Sequence, residues 1–369
     1  MRLKNFSFIN HKTGWRVENV QFGTLTLLVG ASGVGKTQIL KSLSVLARIA
    51  DGKSFNGREW VVEFEEAGIN YIWSGRFEVQ RNRQEEFLFD EAEFSIVAER
   101  LTTSDGLEIF SRNETELRYH NAPTVKLDPS KSAVELLKEE QDITPVKRAF
   151  KKMLWLDMEE GSKISFRPGL LTNNDSGLSL NEIKSLKFRT PIDRLFLIQK
   201  NDLIVFNEIK EAFIDIFPLV EDIDFDLEHF LRDEYVPLLK IKEKGVDNWI
   251  KLPDISSGMC RTLSQIVTLT LADDGDIILI DEFENGLGIN CIDSLADMAL
   301  EPEVNVQIIM TSHHPYIINS IPYQDWRIVS RISSEVRVHT ASELKIGEYS
   351  RHDAFMQLIQ TTAYKTGQS

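Results

Sequence analysis

Apolar residues gather near the start of the chain in three short runs, Arg2 to Ile9, Val17 to Phe22 and Leu25 to Val29. Each fits a strand, and the third, the most apolar, fits a buried central one. Beyond residue 37 the period changes. Ile39, Leu43, Leu46 and Ile49 or Ala50 recur every three to four positions, the stripe of a helix that stops near Asp51-Gly52. From Trp60 to about His120 short β segments repeat, at Tyr71 to Val79, Phe94 to Leu101 and Leu107 to Phe110, with Ser104-Asp105-Gly106 as a hairpin turn. This pattern predicts an antiparallel β-arm. Helix formers dominate Ala133 to Met158 and Asn207 to Lys242, cut into pieces by Pro145, Pro218 and Pro237, and predict a helical lobe. Between its halves, Gly169 to Ser179 is rich in Asn, Ser and Gly and predicts a mobile surface loop. A helix after Gly258 and strands at Ile277 to Ile280, Val306 to Met310, Trp326 to Ser330 and Glu335 to His339 then restore strand–helix alternation. The expected class is α/β. Its expected parts are residues 1–59 (first part of the core), 60–125 (β-arm), 126–249 (inserted helical lobe) and 250–369 (second part of the core).

At 369 residues, 42% hydrophobic and 27% charged, the composition is that of a globular protein with a sizeable core. A net charge of −15 opposes sequence-independent binding to phosphate backbones, which draws on clustered Lys and Arg. Local basic character exists at Arg81, Arg83, Lys147, Arg148, Lys151 and Lys152, but acidic pairs lie nearby. A solvated helix face accounts for the second group, and contact with nucleic acid stays open. The two cysteines, Cys260 and Cys291, match neither a disulfide framework nor zinc spacing and read as small core residues. The opening Met1-Arg2-Leu3-Lys4-Asn5-Phe6 lacks the apolar stretch of a signal peptide, and no run reaches bilayer-spanning length. A cytoplasmic protein without membrane contact is expected.

Candidate chemistry begins at Gly30-Ala31-Ser32-Gly33-Val34-Gly35-Lys36-Thr37, which fits the phosphate-binding loop Gly-x-x-x-x-Gly-Lys-Ser/Thr and lies between an apolar strand and an amphipathic helix. Gly30, Gly33 and Gly35 let the backbone curl so that N–H groups, that of Ser32 among them, face phosphates, and the helix directs its positive end at them. Lys36 would reach the β- and γ-phosphates of ATP, and the Thr37 hydroxyl would ligate Mg2+. Downstream, four apolar residues at Ile277 to Ile280 end in Asp281-Glu282, as a buried strand presents carboxylates at its C-terminal edge. Asp281 would hold the magnesium shell and Glu282 would orient and polarise the attacking water. A strand followed by an acidic helix cap is the alternative for that pair taken alone.

Three further segments carry a resemblance. Asp254-Ile255-Ser256-Ser257-Gly258-Met259, Phe283-Glu284-Asn285-Gly286-Leu287 and Thr311-Ser312-His313-His314-Pro315 resemble the ABC signature, the D-loop and the switch segment of the ABC ATPases, in the expected order. The Glu-Asn-Gly-Leu and His-x-Pro forms, with the N-terminal Leu3-Lys4-Asn5-Phe6, are most similar to bacterial AAA/ABC-like ATPases related to SMC and DNA-repair heads. That group includes the ATPase halves of OLD-family nucleases and of anti-phage defence systems. The resemblance covers residues 1 to 50 and 250 to 330 by motif and the middle by topology. It implies a P-loop NTPase of ABC-ATPase type with an antiparallel β-arm and an inserted helical lobe. It also implies a head-to-tail dimer in which Ser256 and Gly258 of one subunit close over the γ-phosphate held by Lys36 of the other, with two ATPs sandwiched. Ser256-Ser257 as an ordinary helix N-cap is the alternative. The resemblance puts His313 at the switch histidine, against the γ-phosphate or the water, while His314 before Pro315 marks the turn out of the strand. Gln199, after the apolar run Leu195 to Ile198, is a candidate for the magnesium-sensing lid-loop glutamine. Phe6, Phe8 and Trp15 all stand as candidates for the adenine-stacking aromatic. Ser32, Ser257 and Met259 depart from the fullest family pattern, which implies slow turnover.

The resemblance implies an ATPase that controls a separate effector, such as a nuclease, in bacterial anti-phage defence or DNA maintenance. Residues 314–369, after His313, are too few for a fused nuclease domain, so the expected partner is another chain. Two other readings remain open. The ATPase subunit of a membrane transporter would usually have its signature much closer to the P-loop than residues 38 to 253 allow. A P-loop small-molecule kinase would leave Ser256, Gly258 and His313 without work.

Overall fold

A computed structural model describes residues 1–80, 93–156, 177–186, 189–231, 234–347 and 351–368. In chain order, β1 (Arg2–Asn10), β2 (Trp15–Gln21) and β3 (Leu25–Val29) lead into α1 (Lys36–Ala50). Then come β4 (Arg58–Glu66), β5 (Ile69–Phe77), β6 (Ile96–Thr103), β7 (Glu108–Asn113), β8 (Leu117–Tyr119) and β9 (Ala122–Pro123). α2 (Ala133–Leu136), α3 (Thr144–Lys151), β10 (Met153–Leu156), α4 (Leu180–Ser185), α5 (Pro191–Asn201) and α6 (Leu203–Ile216) follow. Next are β11 (Val220–Leu231), β12 (Glu234–Glu243), β13 (Ile250–Lys251), α7 (Ser257–Thr270), β14 (Ile277–Ile280) and α8 (Ile289–Leu300). The chain ends in β15 (Gln307–Thr311), α9 (Pro315–Ser320), β16 (Trp326–Ile332), β17 (Glu335–Thr340), α10 (Arg351–Gln360) and α11 (Thr362–Thr366).

These elements divide into two units. The first comprises Met1–Trp155, Gly275–Asp281 and Gln307–Ser369, the second Leu156–Asp274 and Glu282–Val306. The boundary therefore differs from the expected one. Residues 126–155 belong with the phosphate-loop core, and most of the stretch from 250 to 306 does not.

The physical reason lies in the first unit's sheet, which runs β10-β14-β15-β3-β16-β17-β2-β1-β4-β5-β6-β7-β8-β9. β14, β15, β3 and β16 are mutually parallel, and every strand pair from β2–β1 onward to β9 is antiparallel. The expected β-arm is thus a continuation of the core sheet rather than a separate body, since β4 pairs along β1 from Arg2↔Glu65 to Asn10↔Arg58. Trp60, Phe64 and Trp73 on that extension are buried, and Phe150 of α3 packs edge-on against Phe64 and Trp73 with centroids 5.2 and 4.9 Å apart. Such pairs are worth about 0.5–1.5 kcal/mol each beyond the area they bury. Burial of one face of β4 and β5 under α3 fuses arm and core.

α1 follows the sequence reading closely, with Ile39, Leu43, Leu46, Ile49 and Ala50 buried and Asp51 as its C-cap. Lys147 was expected on a solvated face. Instead it is 6% exposed and donates to Ala50 O at 2.9 Å and Asp51 Oδ1 at 2.7 Å, a cation on the negative end of α1. Arg148 and Lys151 are exposed as expected. Arg81 and Arg83 lie outside the described residues, as does most of the Asn/Ser/Gly-rich loop.

In the second unit α5, α6 and α7 pack on one another, and β11, β12 and β13 form a three-stranded antiparallel sheet. The helical pieces expected up to Lys242 are corrected here: only the part to Ile216 is helical, and Val220–Leu231 and Glu234–Glu243 pair as antiparallel strands. Ile223 and Phe225 are buried while Asp222, Asp224 and Asp226 alternate with them, the two-residue period of a half-buried strand. Lys240 crosses from β12 to pair with Asp224 and Asp226. Pro237 is tolerated because β13 pairs β12 only at Lys240 and Ile241. The apolar run Leu195 to Ile198 lies in the helix α5. Thr190 and Asp193 form a capping box around Pro191 and start α5. Among the described residues no helix is long and apolar enough to cross a membrane.

Candidate nucleotide-binding site

β3 sits between β15 and β16, buried from Thr26 to Val29, and delivers the loop 30–37 at the C-terminal edge of the parallel strands. Two of its glycines are demanded by space as well as conformation. A Cβ on Gly30 would stand 2.3 Å from Val329 O, and one on Gly35, at φ +109°, would stand 2.9 Å from Val336 Cγ2. Gly33, at φ +80°, meets nothing within 4 Å and is there for its backbone alone. Ser32 and Gly33 are exposed at the tip. Gly35 is the N-cap of α1 and brings no side-chain cap, so the helix N-terminus is open to an anion. Lys36 is 6% exposed, and its Nζ donates to Gly30 O at 3.0 Å and Ala31 O at 2.9 Å, folding the ammonium back across the loop.

Asp281 follows β14, Thr311 ends β15, and their strands pair in register at Ile280↔Met310. Thr37 Oγ1 donates to Asp281 Oδ1 at 3.1 Å although 244 positions separate them, and Thr311 Oγ1 donates to the same oxygen at 2.7 Å. Asp281 is 4% exposed and Thr311 fully buried. A buried carboxylate held by two hydroxyls next to the phosphate loop suits magnesium, which takes one or two carboxylates and completes its shell with phosphate and water. Among the described residues no group of three or more His, Cys, Asp or Glu forms a metal cage, a different kind of site.

Glu282 adopts φ +46°, a left-handed backbone uncommon for a residue with a Cβ, and is exposed. Asn285 Nδ2 donates to its Oε2 at 3.1 Å. Within the second unit the segments expected as signature and D-loop touch. A Cβ on Gly258 would stand 2.8 Å from Gly286 O, Arg261 Nη1 donates to Asn285 O at 2.5 Å, and Gln265 Nε2 to Phe283 O at 3.4 Å. Arg261 and Gln265, which the sequence does not single out, sit on α7 one and two turns past Gly258, on the side that faces Phe283 and Asn285. Ser256 is the N-cap of α7 and its Oγ accepts from Met259 N at 3.1 Å.

His313 follows β15 and is half-buried, with Thr311 two positions before it. His314 does mark the turn: it caps α9, its Nδ1 accepting from Tyr316 N at 3.3 Å. Gln199, expected as a lid-loop glutamine, stands on the helix α5 rather than in a loop, and its Nε2 donates to Asp224 Oδ1 at 2.9 Å. Of the three aromatic candidates, Phe6 and Phe8 are core residues at 1% and 3% exposure, and Trp15 lies against the loop, its Nε1 3.4 Å from where a Cβ of Gly35 would be. Both cysteines are buried, as expected, and they form no disulfide.

A family model described as "AAA domain, putative AbiEii toxin, Type IV TA system" matches residues 25–319. No curated protein matches the chain. Similar solved structures include an SMC head bound to the C-winged helix domain of ScpA, at TM-score 0.49 and 14% identity over 92% of this chain and 97% of that one. An SMC head domain from Thermotoga maritima gives TM-score 0.43 and 12% identity over 92% and 99%. A third, an Smc head with an extended coiled coil bound to the C-terminal domain of ScpA derived from Pyrococcus furiosus, gives 0.45 and 15% over 92% and 96%.

Proposed function

The chain belongs to this family of AAA domains and has the P-loop ATPase fold of the ABC type, and from that premise we propose that it binds and hydrolyses ATP with magnesium, dimerises on ATP and controls a separate effector protein. The observation that carries the chemistry is the meeting of Thr37 and Asp281 beside Lys36. Thr37 has one hydroxyl hydrogen, which it keeps on Asp281, and lone pairs to present to a cation. Lys36 exchanges the two loop carbonyls for phosphate oxygens, a stronger, charge-assisted pairing. Magnesium supplies positive charge to the phosphates when bound. Glu282 takes a proton from water as the water oxygen bonds to the γ-phosphorus and the bridging oxygen leaves. The left-handed backbone at Glu282 supports this role, because strain of that kind collects at functional positions. His313 orients the water or the γ-phosphate.

Ser256 and Gly258 serve a second copy of the chain. The Ser256 hydroxyl and the N-terminus of the 14-residue α7 offer donors and a favourable dipole to the γ-phosphate held by the partner's P-loop. The family's description as a putative toxin of a type IV toxin–antitoxin system supports a two-component arrangement, and we place the effector, plausible as a nuclease, in bacterial anti-phage defence or DNA maintenance.

Hydrolysis and nucleotide binding are measured together. Glu282→Gln keeps ATP binding and loses hydrolysis on the order of a hundredfold or more; Lys36→Ala loses on the order of a hundredfold in affinity. Wild-type affinity in Lys36→Ala, or full turnover in Glu282→Gln, would reject the assignment. Tagged Glu282→Gln recovered from its host in ATP and magnesium should carry a second protein that Lys36→Ala lacks; the same companions on both would reject ATP-controlled coupling.

A further inference from the structure

We infer that Thr311 is a positioning residue for the magnesium-holding carboxylate, and that it makes Asp281 the joint between the P-loop and the strand that carries His313. The inference rests on the nucleotide reading above and adds a residue to it. Thr311 is fully buried at the end of β15, and its hydroxyl lies 2.7 Å from Asp281 Oδ1, the same oxygen that Thr37 reaches at 3.1 Å. The shorter bond is the one from the interior. A carboxylate at 4% exposure needs donors to remain charged and in place. Of its two donors, Thr37 stands in the first turn of α1, half-buried and facing the phosphate loop's end of the helix, whereas Thr311 is fully buried and held in the sheet by its pairing with Leu28 of β3. Thr311 therefore holds the carboxylate's orientation from the interior while Thr37, with its hydrogen on the same oxygen, presents its lone pairs to a cation.

The same bond has a second consequence. His313 is two residues beyond Thr311, and Ser312 between them is fully buried with its Oγ accepting from His314 N at 3.0 Å, so little slack separates Asp281 from the switch histidine. A change at the metal carboxylate is passed to the switch segment through a hydroxyl and a short stretch of pinned backbone. Hydroxyl identity, rather than side-chain volume, is what the position requires.

The test is the magnesium dependence of binding of a fluorescent, non-hydrolysable ATP analogue. Thr311→Val, nearly the same shape without the donor, should leave binding in EDTA within about twofold of wild type and raise the half-saturating magnesium concentration about tenfold, the loss expected for a hydrogen bond to a charged group. Thr311→Ala, which removes the donor without adding volume, should give the same shift, and Thr311→Ser should restore the wild-type value. A purely structural role would lower the melting temperature and leave the magnesium midpoint unmoved, and that result, or a shift that Ser does not rescue, overturns the inference. If wild type itself binds the analogue without any magnesium dependence, the nucleotide–magnesium reading fails first.

Discussion

Three carboxylates show how differently one residue type is used. Asp281 is held by two hydroxyls, Glu282 is exposed on strained backbone, and Glu99 on β6 is 2% exposed, accepting from Trp73 Nε1 at 3.0 Å, Ser132 Oγ at 2.5 Å and Ala133 N at 2.8 Å. Burial pushes the Glu99 carboxyl above the ordinary glutamate range, and the three donors offset only part of that. A folded-state value raised above the unfolded one contributes stability that is fully present below the unfolded value and is lost as pH rises through the folded value. Glu99→Gln carries no titrating proton. Denaturant midpoints taken from about pH 4 to 8 should therefore fall with pH more steeply for wild type than for Glu99→Gln; parallel curves would contradict the assignment. At this scale the sequence was most legible where chemistry is contiguous. Residues 30–37 declare themselves because glycines, lysine and threonine must be neighbours to wrap a phosphate. Thr311 was readable only as part of a switch segment, since its partner Asp281 is 30 positions away. Glu99 gave no signal, because nothing in an alternating strand distinguishes an inward glutamate from an outward one.

Elements were legible in proportion to the regularity of their period. β1, β2, β3 and α1 match expectation within two residues, as do β14 and β15. The errors came where composition misled. Asn207 to Lys242 reads as helical because it is rich in Leu, Glu and Lys, whereas the two-residue alternation of Asp222, Asp224 and Asp226 with Ile223 and Phe225 marks the strand that forms there. The antiparallel extension was seen as strands, but its continuity with the core depends on aromatic burial under α3, a long-range fact. That continuity can be tested at Gly75 on β5. A Cβ there would stand 2.3 Å from Trp60 Cζ2, and Trp60 is fixed against Trp73 and Phe77 at 5.2 and 5.6 Å. Gly75→Ala should cost about 1–3 kcal/mol of stability, read as a lower denaturant midpoint at unchanged slope. A midpoint equal to wild type would mean that the aromatic cluster is not packed as described.

For the whole molecule, the two units divide the proposed labour. The first carries Lys36, Thr37, Asp281 and His313; the second carries Glu282, Ser256 and Gly258, with the division passing between Asp281 and Glu282. In the proposed dimer, a nucleotide held by the first and closed over by Ser256 and Gly258 of a second copy would have two sets of contacts, and the dimer would gain stability by mass action. The most direct test is the native mass of purified Glu282→Gln with and without ATP and magnesium. The account predicts a monomer without nucleotide, a doubling with ATP and magnesium, and loss of that doubling when Ser256→Arg is added. A mass that stays that of one chain in ATP and magnesium, with nucleotide shown to be bound, would contradict it.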